Sequence, residues 1–311
     1  MKCLKSFVLL CAFAAAFLLA AGGSAVAQNG IQLELVSAKT ADGIVLNGLI
    51  WTPAEGKAKI GVVMIAGTYA EFYDLPFDWM GQKLAENGYL AISMNRRDHG
   101  LEFGYHNMEP AAADQKYPID MLMARGVEKI VLAGHSYGTV TVPYYVMTTD
   151  DQRVKGLLLF SPLGDLRPAS VIICGGKEKY DATVAKAKEM VAAGRAKEAF
   201  LIPHMVPGGR PIVNTAENFL NKRGPDAKTV PVEILKHVRN RPMLGIRDPG
   251  DPFPATLPPA QQMLMAANPD LEYVLMPDIR NGKTDPMAHY YLGREAEVLQ
   301  ITLGWLKKHG F

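Results

Sequence analysis

Cysteine is scarce in this sequence, with three residues among 311. Two of them, Cys3 and Cys11, fall within an apolar N-terminal stretch that has the features of a removable leader. The chain that remains after leader removal keeps Cys174 alone, and a single cysteine cannot form an internal disulfide. The sequence therefore predicts that stability comes from a hydrophobic core, and a chain of this length buries enough surface to build one.

An excess of charge of one sign is also missing. The chain has 33 basic and 31 acidic residues, and loss of the leader removes Lys2 and Lys5 but no acidic residue. The mature chain would then carry 31 of each, and a net charge near zero argues against nucleic acid or an anionic surface as a partner. No metal-ligand spacing, phosphate-binding loop or dinucleotide fingerprint occurs, so we expect neither a metal nor a cofactor.

The leader has the features of a secretory signal peptide. A basic start precedes an apolar run over residues 7–21, and the small-x-small sequence Ser24-Ala25-Val26-Ala27 follows. We expect cleavage after Ala27 and a periplasmic or secreted mature protein. The apolar run is too short for a stable membrane anchor, and no later stretch is long enough to span a bilayer. The sequence leaves the oligomeric state open.

Strand-like and helix-like patterns alternate along the mature chain. A predicted antiparallel hairpin turns at Asp42-Gly43. Short apolar runs typical of buried strands follow at 60–65, 89–94, 130–133, 154–160, 243–246 and 271–276. Stretches with helical patterns lie at 75–87, 118–125, 139–147 and 257–267, and an amphipathic one lies at 295–308. This alternation predicts an α/β fold with a mostly parallel sheet and helices on both faces.

The alternation of strand-like and helix-like patterns is interrupted over residues 166–240. Two helical patterns, at 181–193 and 214–223, occur there with little strand pattern. A stretch of this length between two sheet strands predicts a helical lid or cap inserted into the fold. We therefore divide the mature chain into a core, residues 28–165 and 241–311, and this insertion.

The sequence Gly134-His-Ser-Tyr-Gly138 carries the main chemical signal. It follows a strand-like run and precedes a predicted helix, which is the context of a nucleophile elbow. Side chains at Gly134 and Gly138 would collide with neighbouring elements in so tight a turn. The motif therefore predicts that Ser136 is a nucleophile.

A serine nucleophile needs a base, and the base needs an acid that sets its tautomer. Among seven histidines, only His289 lies in a loop after the last predicted strand, from which it could reach Ser136. We expect the acid just after the strand that ends at Ile246. Asp251 is preferred, because Asp248 follows so closely that it could merely cap the turn. Asp165, after the preceding strand, is a possible substitute.

Two backbone amides should stabilise the oxyanion of the tetrahedral intermediate. We expect the amide of Tyr137, directly after the nucleophile, and the amide of Thr68, with Tyr69 as its alternative. Small residues before Thr68 would let that turn approach the substrate. Because the turn must face the substrate, Tyr69, Phe72 and Tyr73 are candidates for the substrate pocket.

These features resemble the α/β-hydrolase superfamily over nearly the whole mature chain. The resemblance implies an eight-stranded, mostly parallel sheet whose second strand is antiparallel. It also implies Ser136 as nucleophile, Asp251 as acid and His289 as base. Two departures from the pattern are Ala66, where many relatives carry a histidine, and Pro143, which we expect to kink or shorten the helix after the elbow.

The sequence thus predicts an exported serine hydrolase that cleaves a small-molecule carboxylic ester through an acyl-enzyme. The same three residues could instead open lactones, cleave amides, transfer acyl groups or hydrolyse carbon–carbon bonds. A non-catalytic binding protein on the same scaffold is a further alternative, because a fold alone does not settle function.

Overall fold

The structure, a computed structural model, describes residues 24–26, 30–202, 212–253 and 258–311. Residues 1–23 and Ala27 of the predicted leader lie outside the described residues, whereas Ser24–Val26 forms a short strand. None of the helices within these ranges combines the length and the apolar character needed to cross a membrane. The predicted signal peptide therefore stays a prediction.

A nine-stranded sheet forms the centre of the described chain. Its strands are β1 (Ser24–Val26), β2 (Gln32–Lys39), β3 (Val45–Thr52), β4 (Ile60–Ile65), β5 (Leu90–Met94), β6 (Lys129–His135), β7 (Val154–Phe160), β10 (Met243–Arg247) and β11 (Leu271–Leu275), while β8 (Ala199–Ile202) and β9 (Ile212–Thr215) pair apart. The order is β1-β2-β3-β5-β4-β6-β7-β10-β11. The six neighbouring strands β5, β4, β6, β7, β10 and β11 run parallel to one another. Strand β3 is antiparallel to both its neighbours, β2 and β5. The predicted eight-stranded sheet with an antiparallel second strand is confirmed, and β1 adds an edge strand to it.

Helices cover both faces of the sheet. They are α1 (Phe77–Glu86), α2 (Met108–Ala113), α3 (Lys116–Ala124), α4 (Gly138–Thr149), α5 (Leu166–Ile173), α6 (Lys177–Ala192), α7 (Ala216–Arg223), α8 (Pro231–Leu235), α9 (Pro258–Ala267) and α10 (Glu295–Lys308). Apolar side chains of α1 and α10 pack in one buried cluster, and those of α3, α4, α8 and α9 pack in another. The β-strands alternate between these two clusters, because successive side chains point to opposite faces.

Pro143 does not shorten α4, since this helix continues from Gly138 to Thr149 with Pro143 inside it, and the expected kink stays a prediction. Proline removes one backbone donor, but Val142, Tyr145 and Val146 bury their side chains against the core. Tertiary packing of this kind, rather than local propensity, supplies most of the stability of a helix in a protein.

The stretch that we call the cap, residues 166–240, lies between β7 and β10. It contains α5 to α8 and also the antiparallel pair β8 and β9, which we did not predict. Each strand has only four residues, so the alternation of buried Phe200 and Ile202 with exposed Leu201 is a weak signal. The predicted helix at 214–223 begins later, at Ala216, because Asn214 and Thr215 end β9.

Candidate active site

Ser136 lies at the sharp turn between β6 and α4. Its φ of 53° falls in the left-handed region, which is strained for a residue with a side chain. A Cβ on Gly134 would collide with the backbone of Gly138, and one on Gly138 would collide with the carbonyl oxygen of Ile65. The two glycines therefore allow β4, β6 and α4 to approach closely, as the motif predicts. Ser136 is partly exposed, whereas the residues on either side of it are buried.

His289 lies in a short 3-10 turn, Pro286–Tyr290, after β11. Its Nδ1 is 2.7 Å from Oδ2 of Asp251, and both side chains are buried. The other carboxylate oxygen of Asp251 accepts a 2.9 Å hydrogen bond from the amide of Phe253. A carboxylate at Nδ1 favours the tautomer that carries its hydrogen there, which leaves Nε2 as a proton acceptor. His289 and Ser136 line the same cavity.

The two other candidate acids have different partners. Asp248 is fully buried and pairs with Arg280 at 2.9 Å and with Arg294 at 3.1 Å. Asp165 caps α5, where its side chain accepts from the amide of Arg167 and pairs with the guanidinium of the same residue. The structure therefore brings the carboxylate of Asp251 to His289 and engages the other two elsewhere.

Two side chains that the sequence did not indicate hold the backbone of His289. The carbonyl oxygen of His289 lies 2.9 Å from Nε2 of His135 and accepts a 2.8 Å hydrogen bond from Oγ of Ser161. Since a carbonyl can only accept, Nε2 of His135 carries the hydrogen. Burial, followed by the charge of His289, lowers the pKa of His135 well below its usual value, so His135 stays neutral. The variable position of the Gly-x-Ser-x-Gly motif gives no sequence signal for such a contact.

The two residues expected to supply the oxyanion amides line the cavity beside Ser136. Tyr137 is the N-cap of the twelve-residue helix α4, where backbone amides point away from the helix. Thr68 follows β4, and a Cβ added to the preceding Gly67 would lie 2.9 Å from Cβ of Ser136. Arg96 donates a 2.6 Å hydrogen bond to the carbonyl oxygen of Ala66, which holds this turn in place.

The cavity has a volume of about 270 Å³ and is mostly apolar. Its walls come from the core and the cap and include Ala70, Phe103, Leu163, Leu166, Ala169, Ile173, Lys222, Arg223, Phe253 and Tyr290. Within the described ranges, no group of three or more His, Cys, Asp or Glu side chains could hold a metal ion.

The three aromatic residues expected in the substrate pocket do not form the wall of this cavity. Tyr69 packs on Phe103, with ring centroids 5.0 Å apart. Phe72 packs against the apolar cluster that includes side chains of α1 and α10, and the exposed Tyr73 stacks on Trp51. Proximity to the turn in sequence did not determine where these side chains point, because loop side chains follow the tertiary packing around them.

Charged residues after β5 form a buried ion network rather than an open polar surface. Asp98 lies 2.7 Å from Nε of Arg96 and 2.8 Å from Nζ of Lys222, a residue of α7 in the cap. Lys222 also donates to the carbonyl oxygen of Phe103 and lies 3.6 Å from the centre of that ring. Burial lowers the pKa of Lys222 to about 8, although the charge of Asp98 opposes the shift.

Comparisons with known proteins agree with this architecture. A family model described as "Protein of unknown function (DUF1749)" matches residues 59–221, just over half of the chain. A comparison with curated protein sequences gave no match.

Three solved structures are similar over most of the chain. Est1E from Butyrivibrio proteoclasticus, solved with ferulic acid bound, is 17% identical with a TM-score of 0.65, over 87% of this chain and 97% of that chain. The alpha/beta hydrolase GrgF from Penicillium sp. sh18 is 14% identical with a TM-score of 0.66, over 89% and 98%. A soluble variant of monoglyceride lipase from Saccharomyces cerevisiae, in complex with a substrate analog, is 17% identical with a TM-score of 0.62, over 89% and 95%. These likenesses establish the α/β-hydrolase fold.

Proposed function

The chain belongs to the family DUF1749 and has the α/β-hydrolase fold, and on these premises we propose that it is a serine hydrolase. One observation carries the proposal. The buried 2.7 Å hydrogen bond between His289 and Asp251 lies at the cavity that also contains the strained Ser136. These are the three groups that nucleophilic catalysis by serine requires, and they come from three separate segments of the chain.

In the proposed mechanism, Oγ of Ser136 attacks the carbonyl carbon of an ester while Nε2 of His289 takes its proton. Asp251 keeps the hydrogen of His289 on Nδ1 and stabilises the imidazolium that forms. The amides of Tyr137 and Thr68 donate to the oxyanion of the tetrahedral intermediate. Collapse of this intermediate expels the alcohol, which takes the proton from His289 and leaves the acyl group on Ser136.

The second half of the reaction uses the same groups. Nε2 of His289 accepts a proton from a water molecule as the water oxygen attacks the acyl carbon. The second tetrahedral intermediate collapses, Ser136 takes the proton back, and the carboxylic acid leaves. Each half thus transfers one proton to His289 and returns it, and the enzyme is regenerated.

A carboxylic ester of a small molecule is the substrate class that we propose. The mostly apolar cavity suits an acyl chain or an apolar alcohol. The structural neighbours support the choice, since one was solved with ferulic acid bound and another is a monoglyceride lipase. No described residue favours a lactone, an amide or a carbon–carbon bond over an ester.

We also propose that residues 1–27 direct export and are removed afterwards. The basic start, the apolar run and the small residues before Gln28 support this proposal. Cleavage after Ala27 would remove β1, which lies at the edge of the sheet and pairs only with β2 among the described strands. N-terminal sequencing of the exported protein tests the proposal, and a mature chain that still begins before Ser24 would contradict it.

Hydrolysis of p-nitrophenyl acetate, butyrate and octanoate tests the proposed activity. The chain from Gln28 is compared with its Ser136→Ala variant and with Ser37→Ala, a control at a serine in β2 that does not line the cavity. We expect Ser136→Ala to lower kcat by at least about 10³-fold, because serine is the attacking group, and Ser37→Ala to have no effect. A Ser136→Ala variant as active as the wild type would refute the proposal.

A further inference from the structure

The turn that carries His289 has little structure of its own. It is a single five-residue 3-10 turn, Pro286–Tyr290, and the side chains of Met287 within it and Leu292 beyond it are exposed. Hydrogen-bond geometry is poor in 3-10 turns, so such a turn is weakly fixed by its own bonds. A general base must nevertheless lie within hydrogen-bond reach of the proton that it takes. Contacts with the core therefore have to hold the backbone of this turn in place.

The carbonyl oxygen of His289 is one point at which the core holds the turn. It accepts a 2.8 Å hydrogen bond from Oγ of Ser161, and Nε2 of His135 donates to it at 2.9 Å. Ser161 is 0% exposed and His135 is 1% exposed, so solvent does not compete for this oxygen. A carbonyl oxygen has two lone pairs and can accept from both donors at once. The two side chains together fix the position of the carbonyl group.

Both donors also belong to the segments that fix the nucleophile. His135 ends β6 and directly precedes Ser136 in the chain. Ser161 follows Phe160, whose carbonyl oxygen accepts a 3.0 Å hydrogen bond from the amide of Ser136. Two short paths, one through His135 and one through Ser161, thus connect the backbone of the nucleophile to the backbone of the base. Neither path passes through the carboxylate that binds the ring of the base.

Backbone strain occurs at the same contacts. Ser136, Ser161 and Tyr291 have φ values of 53°, 48° and 60°, in the left-handed region that disfavours residues with side chains. Tyr291 directly follows the turn of His289. Its hydroxyl accepts from the amide of Ser161 and donates to the carbonyl oxygen of Ile246, at 2.5 Å each. Strained residues persist where the surrounding structure over-determines them, and they cluster at functional sites. The proposed proton transfers use neither Ser161 nor Tyr291, so a role in positioning accounts for their strain.

The ring of His135 suits a donor that takes no part in the proton transfers. Its Nδ1 is buried and has no hydrogen-bond partner within the described part of the chain. A second proton on that nitrogen would place a positive charge close to His289, since the two ring centroids are 4.8 Å apart. Burial, followed by the charge of His289, accordingly lowers the pKa of His135 well below its usual value. His135 therefore stays a neutral donor and does not compete with His289 for the proton of Ser136.

We propose that His135 and Ser161 are positioning residues, which hold the carbonyl oxygen of His289 so that its ring stays within reach of Ser136. The inference rests on the proposed hydrolase function and assigns two further residues to it. Loss of either donor should slow the attack by Ser136, because the base is displaced. The apolar walls that bind the ester stay in place. The variants should therefore lower kcat and leave KM almost unchanged.

A pair of variants tests His135. His135→Phe keeps an aromatic ring but removes the donor, whereas the side-chain amide of His135→Gln can still donate to the carbonyl oxygen. We expect His135→Phe to lower kcat for p-nitrophenyl butyrate and the rate of fluorophosphonate labelling at least about tenfold, because a small displacement of a catalytic group costs that much. His135→Gln should keep both rates within about threefold of the wild type. His237→Phe, at an exposed histidine that does not line the cavity, should change neither rate.

Ser161→Gly separates positioning from stability. Glycine removes Oγ but relieves the strain of the left-handed φ, so thermal unfolding should change little. We still expect kcat to fall at least about tenfold. Asn240→Gly is the matched control, because it relieves a φ of 57° at an exposed residue outside the cavity lining, and it should leave kcat unchanged.

Combining His135→Phe with Ser161→Gly tests whether both side chains act through one carbonyl oxygen. Residues that share a partner have coupled effects. The loss of kcat in the double variant should therefore differ at least about twofold from the product of the two single losses. Losses that simply multiply would show that the two residues act independently and would overturn the shared contact.

The possible failures can be told apart. If the folded wild type hydrolyses no ester and Ser136 resists a fluorophosphonate, the proposed function is wrong. If the wild type is active and folded His135→Phe and Ser161→Gly are equally active, the positioning role is wrong and the hydrolase function stands. Equal losses in His135→Phe and His135→Gln, or a change in KM alone, would also overturn the role. Should His135→Phe not fold, Ser161→Gly compared with Asn240→Gly decides the outcome.

Discussion

The ammonium nitrogen of Lys222 lies 2.8 Å from Oδ2 of Asp98, and both side chains are almost fully buried. Arg96 binds the other oxygen of the same carboxylate and also donates to the carbonyl oxygen of Ala66. One carboxylate of the core therefore links helix α7 of the cap to the turn that carries Thr68. The cap and the proposed oxyanion site are parts of a single network.

Lys222→Met should destabilise the protein strongly. The variant keeps an apolar stem of similar length but removes one of the two cations that compensate the buried charge of Asp98. Losing one partner of a buried ion pair costs about 3–5 kcal/mol in the free energy of unfolding. Urea denaturation measures this loss. The control is Lys236→Met, which removes an exposed pair with Glu233 and should cost less than about 1 kcal/mol. Equal stability of the two variants would contradict the role given to Lys222.

Acid should weaken the contribution of Asp98. Burial alone would raise the pKa of this carboxyl, but the charges of Arg96 and Lys222 and their hydrogen bonds bring it below its ordinary value of 3.8. Because the folded pKa lies below the unfolded one, the stabilisation is present above pH 3.8 and is lost as the pH falls through the folded pKa. The stability difference between wild type and Asp98→Asn should therefore shrink below that pH. Urea denaturation at several pH values checks this, and a difference that grows on acidification would be evidence against it.

Asp251→Asn should mainly lower activity, whereas Asp248→Asn should mainly lower stability. Asp251→Asn cannot hold the required tautomer of His289, so kcat should fall by about 10³–10⁴-fold. Asp248→Asn should leave most of kcat but lower the free energy of unfolding by about 1–3 kcal/mol, because Arg280 and Arg294 lose a buried carboxylate, although Asp285 and Glu297 remain as partners. Ester hydrolysis and urea denaturation of both variants decide the assignment. A larger loss of kcat in Asp248→Asn would show that the acid is wrongly assigned.

Gly67→Ala should impair activity more than stability. The added Cβ would lie 2.9 Å from Cβ of Ser136, so the turn after β4 or the nucleophile must shift. We expect kcat/KM to fall at least about tenfold, because catalytic geometry tolerates little displacement. Gly304→Ala in α10 is a suitable control, because an added Cβ meets nothing within 4 Å there. Unchanged kinetics in Gly67→Ala would contradict the close contact.

Much of the fold could be predicted because its signals are local. The continuous apolar runs of β4 to β7 are typical of strands buried on both faces, and α10 has the bounds that its periodicity indicates. Strands β8 and β9 were missed because four residues carry too little pattern. The course of α4 through Pro143 depends on packing that no local rule contains.

Some residues of the candidate site could likewise be predicted from local sequence signals, whereas others could not. The sequence motif and the order of residues along the chain predicted Ser136, His289 and Asp251 as candidates. In the structure His289 contacts Asp251, and His289 lines the same cavity as Ser136. Their catalytic roles stay predictions. The partner of Lys222 is 124 residues away in sequence, so only the tertiary fold could reveal it. The same holds for Arg223, which no motif indicates and which the cap brings to the cavity.

Fluorophosphonate labelling, followed by intact-mass measurement and peptide mapping, shows whether Ser136 is an activated nucleophile. The reagent forms a covalent adduct only with a serine that a neighbouring base activates. We expect one adduct per wild-type chain, located on Ser136 and absent from a folded Ser136→Ala variant. A folded wild-type protein that stays unlabelled, or that is labelled at another residue, would contradict it.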